Sequence, residues 1–158
     1  MDTFVNATLI GTGATAVMDL WGVVRQRAFG IPNANYGLVG RWIAWMPRGR
    51  FRHERIAATP AVKGEKAIGW AAHYAIGIAF AGLLVVLQGP QPTLASALMV
   101  GIGTVAAPFL LMQPGMGAGI AASRTPRPNA ARLQSLVTHA VFGFGLYAAA
   151  LFLNFVKG

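Results

Sequence analysis

The sequence predicts an all-α integral membrane protein, a four-transmembrane-helix bundle, and three observations predict it. Hydrophobic residues occupy 55% of the 158 positions and charged residues only 11%, whereas about a quarter of a soluble domain is charged. Four apolar stretches are each about 20 residues long, the length that crosses a bilayer as a helix. These stretches also lack the alternating pattern of a membrane β-barrel. An ordinary soluble enzyme is therefore excluded.

The apolar stretches define the predicted spans, and we expect the whole chain, residues 1–158, to form one membrane domain. The spans are predicted at residues 4–24, 67–87, 93–113 and 136–156. Asp19 is the only formally charged residue inside them. Beyond the third span, Pro114 and the glycine-rich segment after it predict a break in the helix. We expect a short helix after that break, ending at residues 125–128.

The distribution of basic residues predicts the orientation. Twelve of the thirteen Lys and Arg residues lie either between the first and second spans or between the third and fourth. The connection at residues 88–92 has none, and the C-terminal tail has only Lys157. Basic loops stay on the cytoplasmic side of a membrane. We therefore expect the basic face in the cytoplasm and both termini outside.

The first cytoplasmic connection, residues 26–66, is too long for a tight turn. Its segment 38–46 combines Arg41 and two tryptophans with apolar residues, a pattern typical of a segment lying along the membrane interface. A polybasic turn follows, with four arginines at Arg48, Arg50, Arg52 and Arg55. One interpretation is that this turn binds anionic lipid head groups or an acidic partner. The other, which the general role of loop charge favours, is that it only enforces the topology.

A short internal echo links the two halves of the chain. His73 in the second span and His139 in the fourth are each followed four residues later by a glycine. The first and third spans both contain Gly-x-Gly. The echo favours two repeated helical hairpins, although matches this short also arise by chance in helices rich in glycine and alanine.

Four polar side chains are predicted to lie at one depth in the membrane. Asp19 comes six residues before the first basic residue after its span, and His73 and His139 each come seven residues after the last basic residue before theirs. At about 1.5 Å per residue, all three lie on the order of 10 Å inside the basic face, and Gln113 falls near the same level. Each ionisable residue also belongs to a stripe of small residues, which indicates a helix–helix contact. We therefore expect the three to point into the bundle.

This polar layer is open to several interpretations. His73 and His139 could be axial ligands of a b-type haem, and Asp19 with both histidines matches a two-His, one-carboxylate metal set. Asp19 and the histidines could instead pass protons or gate an ion. The favoured interpretation is structural: each group hydrogen-bonds a neighbouring helix and holds the bundle together.

Other chemistry is excluded by composition and pattern. The chain has no cysteine, which removes disulfides, thiolate metal sites and cysteine nucleophiles. No serine occurs in a nucleophile motif, so no catalytic residue is predicted. The basic residues are confined to the flanks of the spans, so topology explains them better than nucleic-acid binding does.

Five segments carry a family resemblance: residues 40–42 (GRW), 46–49 (MPRG), 68–74 (IGWAAHY), 107–114 (APFLLMQP) and 138–143 (THAVFG). Together they cover nearly the whole chain and resemble an uncharacterised family of small bacterial four-span integral membrane proteins. The resemblance implies a multi-pass protein of the bacterial inner membrane. It implies no activity and no catalytic residue.

These observations predict a non-enzymatic component or accessory subunit of a membrane complex. Its expected partners are membrane lipids and either a larger complex or further copies of the chain. The first alternative is a haem-, quinone- or metal-binding electron-transfer protein that uses His73 and His139. The second alternative is a small proton-coupled transporter that uses Asp19.

Overall fold

The computed structural model describes residues 3–158, and every element in that range is helical. The α-helices in chain order are α1 (Thr3–Phe29), α2 (Tyr36–Trp45), α3 (Glu65–Gln88), α4 (Leu94–Gly103), α5 (Gln113–Met116) and α6 (Pro128–Lys157). A π-helix precedes α5 at Pro108–Met112, and single 3₁₀ turns lie at Met46–Arg48, Ile56–Ala58 and Ile120–Ala122. The predicted all-α class is confirmed.

Four helical stretches are long and apolar enough to cross a membrane, as the apolar runs predict. They are Thr3–Phe29, Glu65–Gln88, Leu94–Met116 and Pro128–Lys157. This arrangement is compatible with a multi-pass membrane protein. The amphipathic segment of the first connection also forms a helix, α2.

Two spanning helices run further than the apolar stretches that predict them. α1 continues through two arginines to Phe29, and Gly30, with a φ of 65°, ends it by donating its N–H to the Gln26 carbonyl oxygen at 3.1 Å. α6 begins at Pro128, well before the apolar stretch. Proline suits the first position of a helix because the N–H that it lacks would have no helical partner there.

The third stretch is interrupted earlier than the sequence predicts. α4 ends at Gly103, and the chain turns at residues 104–105 before the π-helix begins at Pro108. The break expected in Pro114 and the glycine-rich segment after it is present, although Pro114 itself lies in the first turn of α5, which tolerates proline. The helix ends at Gly117, whose φ of 95° only glycine adopts readily. The short helix expected beyond the break is the single 3₁₀ turn at Ile120–Ala122.

The described chain divides into two compact units. Unit 1 comprises the chain up to Ala34 together with Tyr74–Thr104 and Leu136–Gly158, whereas unit 2 comprises Asn35–His73 and Val105–Ser135. α3 and α6 therefore contribute residues to both units. The single domain over residues 1–158 and the two repeated hairpins stay predictions.

Unit 1 is built around close helix contacts at small residues. A Cβ atom on Gly11 of α1 would lie only 2.5 Å from the Cα atom of Ile78 on α3. A Cβ atom on Gly145 of α6 would lie 3.0 Å from the Cα atom of Ala14 on α1. The helix contacts predicted from the small-residue stripes are therefore present at Gly11. The core beside them contains three large, fully buried side chains: Ile10, Leu84 and Leu146.

Unit 2 packs α2 against the first turns of α3. A Cβ atom on Gly40 of α2 would overlap the backbone carbonyl of Glu65, and one on Gly69 of α3 would overlap the carbonyl of Tyr36. Only glycine allows two backbones to approach so closely. This contact fixes α2 beside the segment of α3 that carries His73.

Candidate functional site

Asp19 on α1 is held by a tyrosine that the sequence analysis did not single out. The hydroxyl of Tyr74 on α3 donates a hydrogen bond to Oδ2 of Asp19 at 3.0 Å. Both side chains are half-buried. Nearby on the same two helices, a Cβ atom on Gly77 would overlap the Thr15 hydroxyl, so α1 and α3 are already in close contact when the bond forms. The bond therefore links two spanning helices of unit 1.

His139 on α6 binds the end of α4. Its Nδ1 atom lies 3.1 Å from the carbonyl oxygen of Gly101 and 3.2 Å from the hydroxyl oxygen of Thr104. The same hydroxyl donates to Gly101 at 2.7 Å. Because a carbonyl oxygen only accepts, the network assigns the proton of the neutral imidazole to Nδ1. The lone pair then belongs to Nε2.

His73 lies in an aromatic cluster of unit 2 that consists of His73, Tyr36 and Trp70. Its ring stacks on Tyr36 with 4.1 Å between centroids and meets Trp70 edge-on at 5.8 Å. Tyr36 and Trp70 are themselves 4.6 Å apart. Tyr36 starts α2 and the other two rings belong to α3, so the cluster joins these helices.

Gln113 begins α5. The connection between α2 and α3, called the basic connection below, contributes a buried histidine, His53, that is bonded to the α5 turn. His53 is only 7% exposed, its Nδ1 lies 3.0 Å from the Thr59 hydroxyl, and its backbone N–H donates to the Gly115 carbonyl at 2.9 Å. Within the described chain, Nε2 of His53 and Oε1 of Gln113 are buried without a hydrogen-bond partner. The backbone bond to Gly115 therefore attaches the connection to the α5 turn.

Arg41 organises the remainder of the basic connection. Its guanidinium forms a bidentate salt bridge with Glu65, both bonds being 2.8 Å. It also donates to the Thr59 carbonyl at 2.9 Å and reaches the carbonyls of Ile56 and Ala57. The hydrogen bonds with Glu65 raise the pKa of Arg41, so this centre of the loop stays charged.

The arginines predicted to bind lipid head groups divide into two pairs. Arg48 and Arg50 lie at one tryptophan, with their Cζ atoms 4.8 Å and 5.2 Å from the ring centroid of Trp45. Arg52 and Arg55 follow in the exposed chain beyond. All four side chains are exposed.

The residues of the predicted polar layer are divided between the two units. Asp19 and His139 belong to unit 1, whereas His73 and Gln113 belong to unit 2, so their common depth stays a prediction. Among residues 3–158, no group of three or more His, Cys, Asp or Glu side chains is placed to hold a metal ion. The haem-, quinone- and metal-binding interpretations therefore stay predictions.

The partners of these groups were harder to predict from the sequence than the groups themselves. Tyr74 directly follows His73, yet no spacing rule relates it to Asp19 on another helix. Thr104 carried a usable signal, because a threonine hydroxyl in a helical run often donates to the carbonyl three or four residues earlier. His53 carried none, since its position in a run of arginines resembles an ordinary exposed loop.

The chain matches a known protein family over most of its length. The sequence model of a family described as "Protein of unknown function (DUF2938)" matches residues 8–153. The resemblance drawn from the sequence segments is confirmed by this match. No curated protein and no solved structure matches the chain.

Proposed function

Because the chain belongs to the DUF2938 family, whose function is unknown, we propose its role from its geometry: it is a non-enzymatic helical component of a membrane complex. In this role the polar side chains of the spans hold helices together. The basic connections face the cytoplasm of a bacterial inner membrane, with both termini outside, as the distribution of Lys and Arg favours.

The observation that carries the proposal is the contact between His139 and the end of α4. The Nδ1 atom of His139 lies 3.1 Å from the Gly101 carbonyl oxygen, which is one of the last four carbonyls of a helix that ends at Gly103. Such carbonyls have no partner inside their own helix. In a membrane no water replaces that partner. The Thr104 hydroxyl also donates to this oxygen, and His139 supports the bundle by supplying a second donor from another helix.

The link between Tyr74 and Asp19 supports the same role. It joins α1 to α3 at 3.0 Å, as His139 joins α6 to α4. Each of these ionisable groups thus connects two helices, the structural use of polar residues in membrane bundles.

Exposed apolar side chains provide the kind of surface that membership of a membrane complex requires. On α6, Phe152 is 70% exposed and Phe155 is 83% exposed, and on the π-helix Leu111 is 67% exposed. Such side chains suit contact with lipid tails or with the helices of a partner protein.

The mass of the extracted particle tests the proposal. The full chain is extracted in a mild detergent and its mass is measured by native mass spectrometry. We expect a discrete assembly that contains a second protein chain or further copies of this one. A monomer that also catalyses proton-coupled flux in liposomes, lost in Asp19→Asn, would establish the transporter alternative instead.

A second candidate, a haem- or metal-binding electron-transfer protein, is favoured by one observation. A histidine that ligates a metal through Nε2 typically donates its Nδ1–H to a carboxylate or carbonyl, and His139 has this arrangement with Gly101. A reduced-minus-oxidised visible spectrum of the purified protein tests it. A band in the b-haem region that disappears in His139→Gln and persists in His53→Gln would support this candidate, whereas a flat spectrum would remove haem.

A further inference from the structure

The turn after α2 holds two positive charges at one aromatic ring. Trp45 is the last residue of α2, and the Cζ atoms of Arg48 and Arg50 lie 4.8 Å and 5.2 Å from its ring centroid. Both distances fall inside the cation–π range of about 6 Å. We propose that Trp45, Arg48 and Arg50 form a binding site for the phosphate head group of an anionic phospholipid. This site does not depend on membership of a complex, but it rests on the proposed position of this connection at a membrane surface.

The indole ring of Trp45, the aromatic platform of this site, is held in place by contacts within the protein. The indole N–H of Trp45 donates to the Pro60 carbonyl at 3.2 Å, and its ring meets His53 edge-on at 6.5 Å. Gly49 then turns the chain with a φ of 74° and donates its N–H to Met46 at 2.9 Å. This turn returns Arg50 to the ring that Arg48 already contacts. Local backbone geometry therefore places both guanidiniums at the same indole ring.

The charges at this ring have no acidic partner in the described part of the chain. Within residues 3–158 neither Arg48 nor Arg50 forms a salt bridge, and both side chains are exposed. The ring quadrupole attracts each cation, but it supplies no negative charge. Guanidinium groups bind phosphate oxygens through paired hydrogen bonds, so a phosphate suits two exposed arginines held at one ring.

An exposed phenylalanine indicates a lipid as the source of that phosphate. Phe51 directly follows Arg50 and is 60% exposed. Its position is fixed because its carbonyl accepts the indole N–H of Trp42 at 2.8 Å. A phospholipid offers an apolar region directly below its phosphate, and tryptophan is enriched at this boundary of the membrane. The combination of cations, tryptophan and exposed phenylalanine therefore fits a lipid better than a free anion.

Lipid titration of matched charge variants tests the site. The purified full chain in a neutral detergent is titrated with phosphatidylglycerol, with phosphatidylcholine of the same acyl chains in parallel, and bound lipid is counted by native mass spectrometry. The double variant Arg48→Gln/Arg50→Gln is compared with a control, Arg124→Gln/Arg127→Gln. The control removes two exposed arginines from the connection between α5 and α6. The thermal unfolding midpoint of each variant confirms that it is folded.

The wild-type chain and the control variant should prefer phosphatidylglycerol over phosphatidylcholine, and the Arg48→Gln/Arg50→Gln variant should bind it about thirtyfold more weakly. Equal losses in both double variants would overturn the site, because summed loop charge would then explain binding. No preference for phosphatidylglycerol in the wild type would overturn it as well. Displacement by inorganic phosphate at the same concentration as the lipid would identify a free-phosphate site and refute the lipid assignment.

The aromatic platform is tested separately. Trp45→Phe keeps an aromatic face, whereas Trp45→Leu removes it. We expect the leucine variant to lose most of the phosphatidylglycerol preference and the phenylalanine variant to keep most of it. Wild-type binding by both variants would exclude the ring from the site.

Discussion

The Nδ1 atom of His139 on α6 lies 3.1 Å from the carbonyl oxygen of Gly101 on α4. α4 ends two residues later, at Gly103, so this oxygen belongs to the last helical turn. The hydroxyl of Thr104 donates to the same oxygen at 2.7 Å. One histidine and one threonine thus supply donors where the helix itself supplies none. His139 of the fourth apolar stretch therefore binds the third stretch at the point where its helix is interrupted.

Removing the histidine donor should destabilise the protein. We expect His139→Leu to lower the free energy of unfolding by about 1 kcal/mol, a typical value for a hydrogen bond between membrane helices. His139→Gln keeps an N–H donor and should lose less than half as much. Chemical unfolding in detergent micelles measures both. Equal losses of unfolding free energy in the two variants would show that the N–H donated to α4 does not account for the stabilising effect of His139.

The close approach of α4 and α6 gives a second prediction. A Cβ atom on Gly101 would lie 2.6 Å from the backbone nitrogen of Gly143 and 2.8 Å from the carbonyl oxygen of His139. Backbone atoms cannot rotate away, so Gly101→Ala should lower the free energy of unfolding by about 1–3 kcal/mol.

Gly103 provides the matched control for this substitution. It lies on the same helix, and a Cβ atom there would meet nothing within 4 Å. Gly103→Ala should leave stability unchanged or raise it slightly, because alanine favours the helix. If thermal unfolding shows the same loss of stability for both substitutions, the close helix contact at Gly101 does not explain the loss.

The spans were predictable because a bilayer requires long apolar helices and the sequence contains four such stretches. The stripes of small residues also predicted helix contacts, and Gly11 makes one. The interruption at residues 104–105 was not predictable in the same way. Hydropathy stays high throughout Leu94–Met116, so composition does not register a change from α-helix to π-helix. The helix ends depended instead on single residues such as Gly117.

The ionisable residues of the candidate site could be predicted from the sequence, but the residues that they contact could not. Asp19 and His139 stand out because ionisable residues are rare inside apolar spans. Their partners, Tyr74 and Thr104, depend on how the helices are rotated against each other, which spacing along one helix does not determine. The same holds for Tyr36, which reaches His73 only because α2 packs on α3.

The contact between Asp19 and Tyr74 gives a third prediction. Tyr74→Phe removes the hydroxyl that donates to Asp19 at 3.0 Å and keeps the ring. We expect a loss of about 1 kcal/mol in the free energy of unfolding. Tyr147→Phe on α6 is a control that removes a tyrosine hydroxyl from the same unit. Thermal unfolding measures both variants. Similar losses of stability in the two would contradict a specific role for the bond to Asp19.

Arg41 gives a fourth prediction, because lysine cannot reproduce its contacts. Its planar guanidinium binds both oxygens of Glu65 and also donates to the Thr59 carbonyl, whereas an ammonium group lacks this fork. Arg41→Lys should lower the local stability of residues 56–59 by about 1 kcal/mol. Hydrogen–deuterium exchange measures this as faster exchange of those amides.

Arg55→Lys is the control for the arginine prediction. Arg55 is exposed in the same connection, so its replacement should leave exchange at residues 56–59 unchanged. If both lysine variants exchange at the wild-type rate, the Arg41 contacts do not hold this turn.

Gly117 gives the last prediction, which separates backbone conformation from space. Gly117 ends the third span with a φ of 95°, and a Cβ atom there would also overlap the carbonyl of Glu54. Gly64 has a φ of 82° with nothing within 4 Å of a Cβ atom. Gly64→Ala should therefore cost only the left-handed conformation, about 1 kcal/mol. Gly117→Ala should cost a further 1–3 kcal/mol, roughly, because the basic connection must move away from the α5 turn. Equal losses in chemical unfolding would mean that this connection is free to shift, and the bond from His53 to Gly115 would then not fix it.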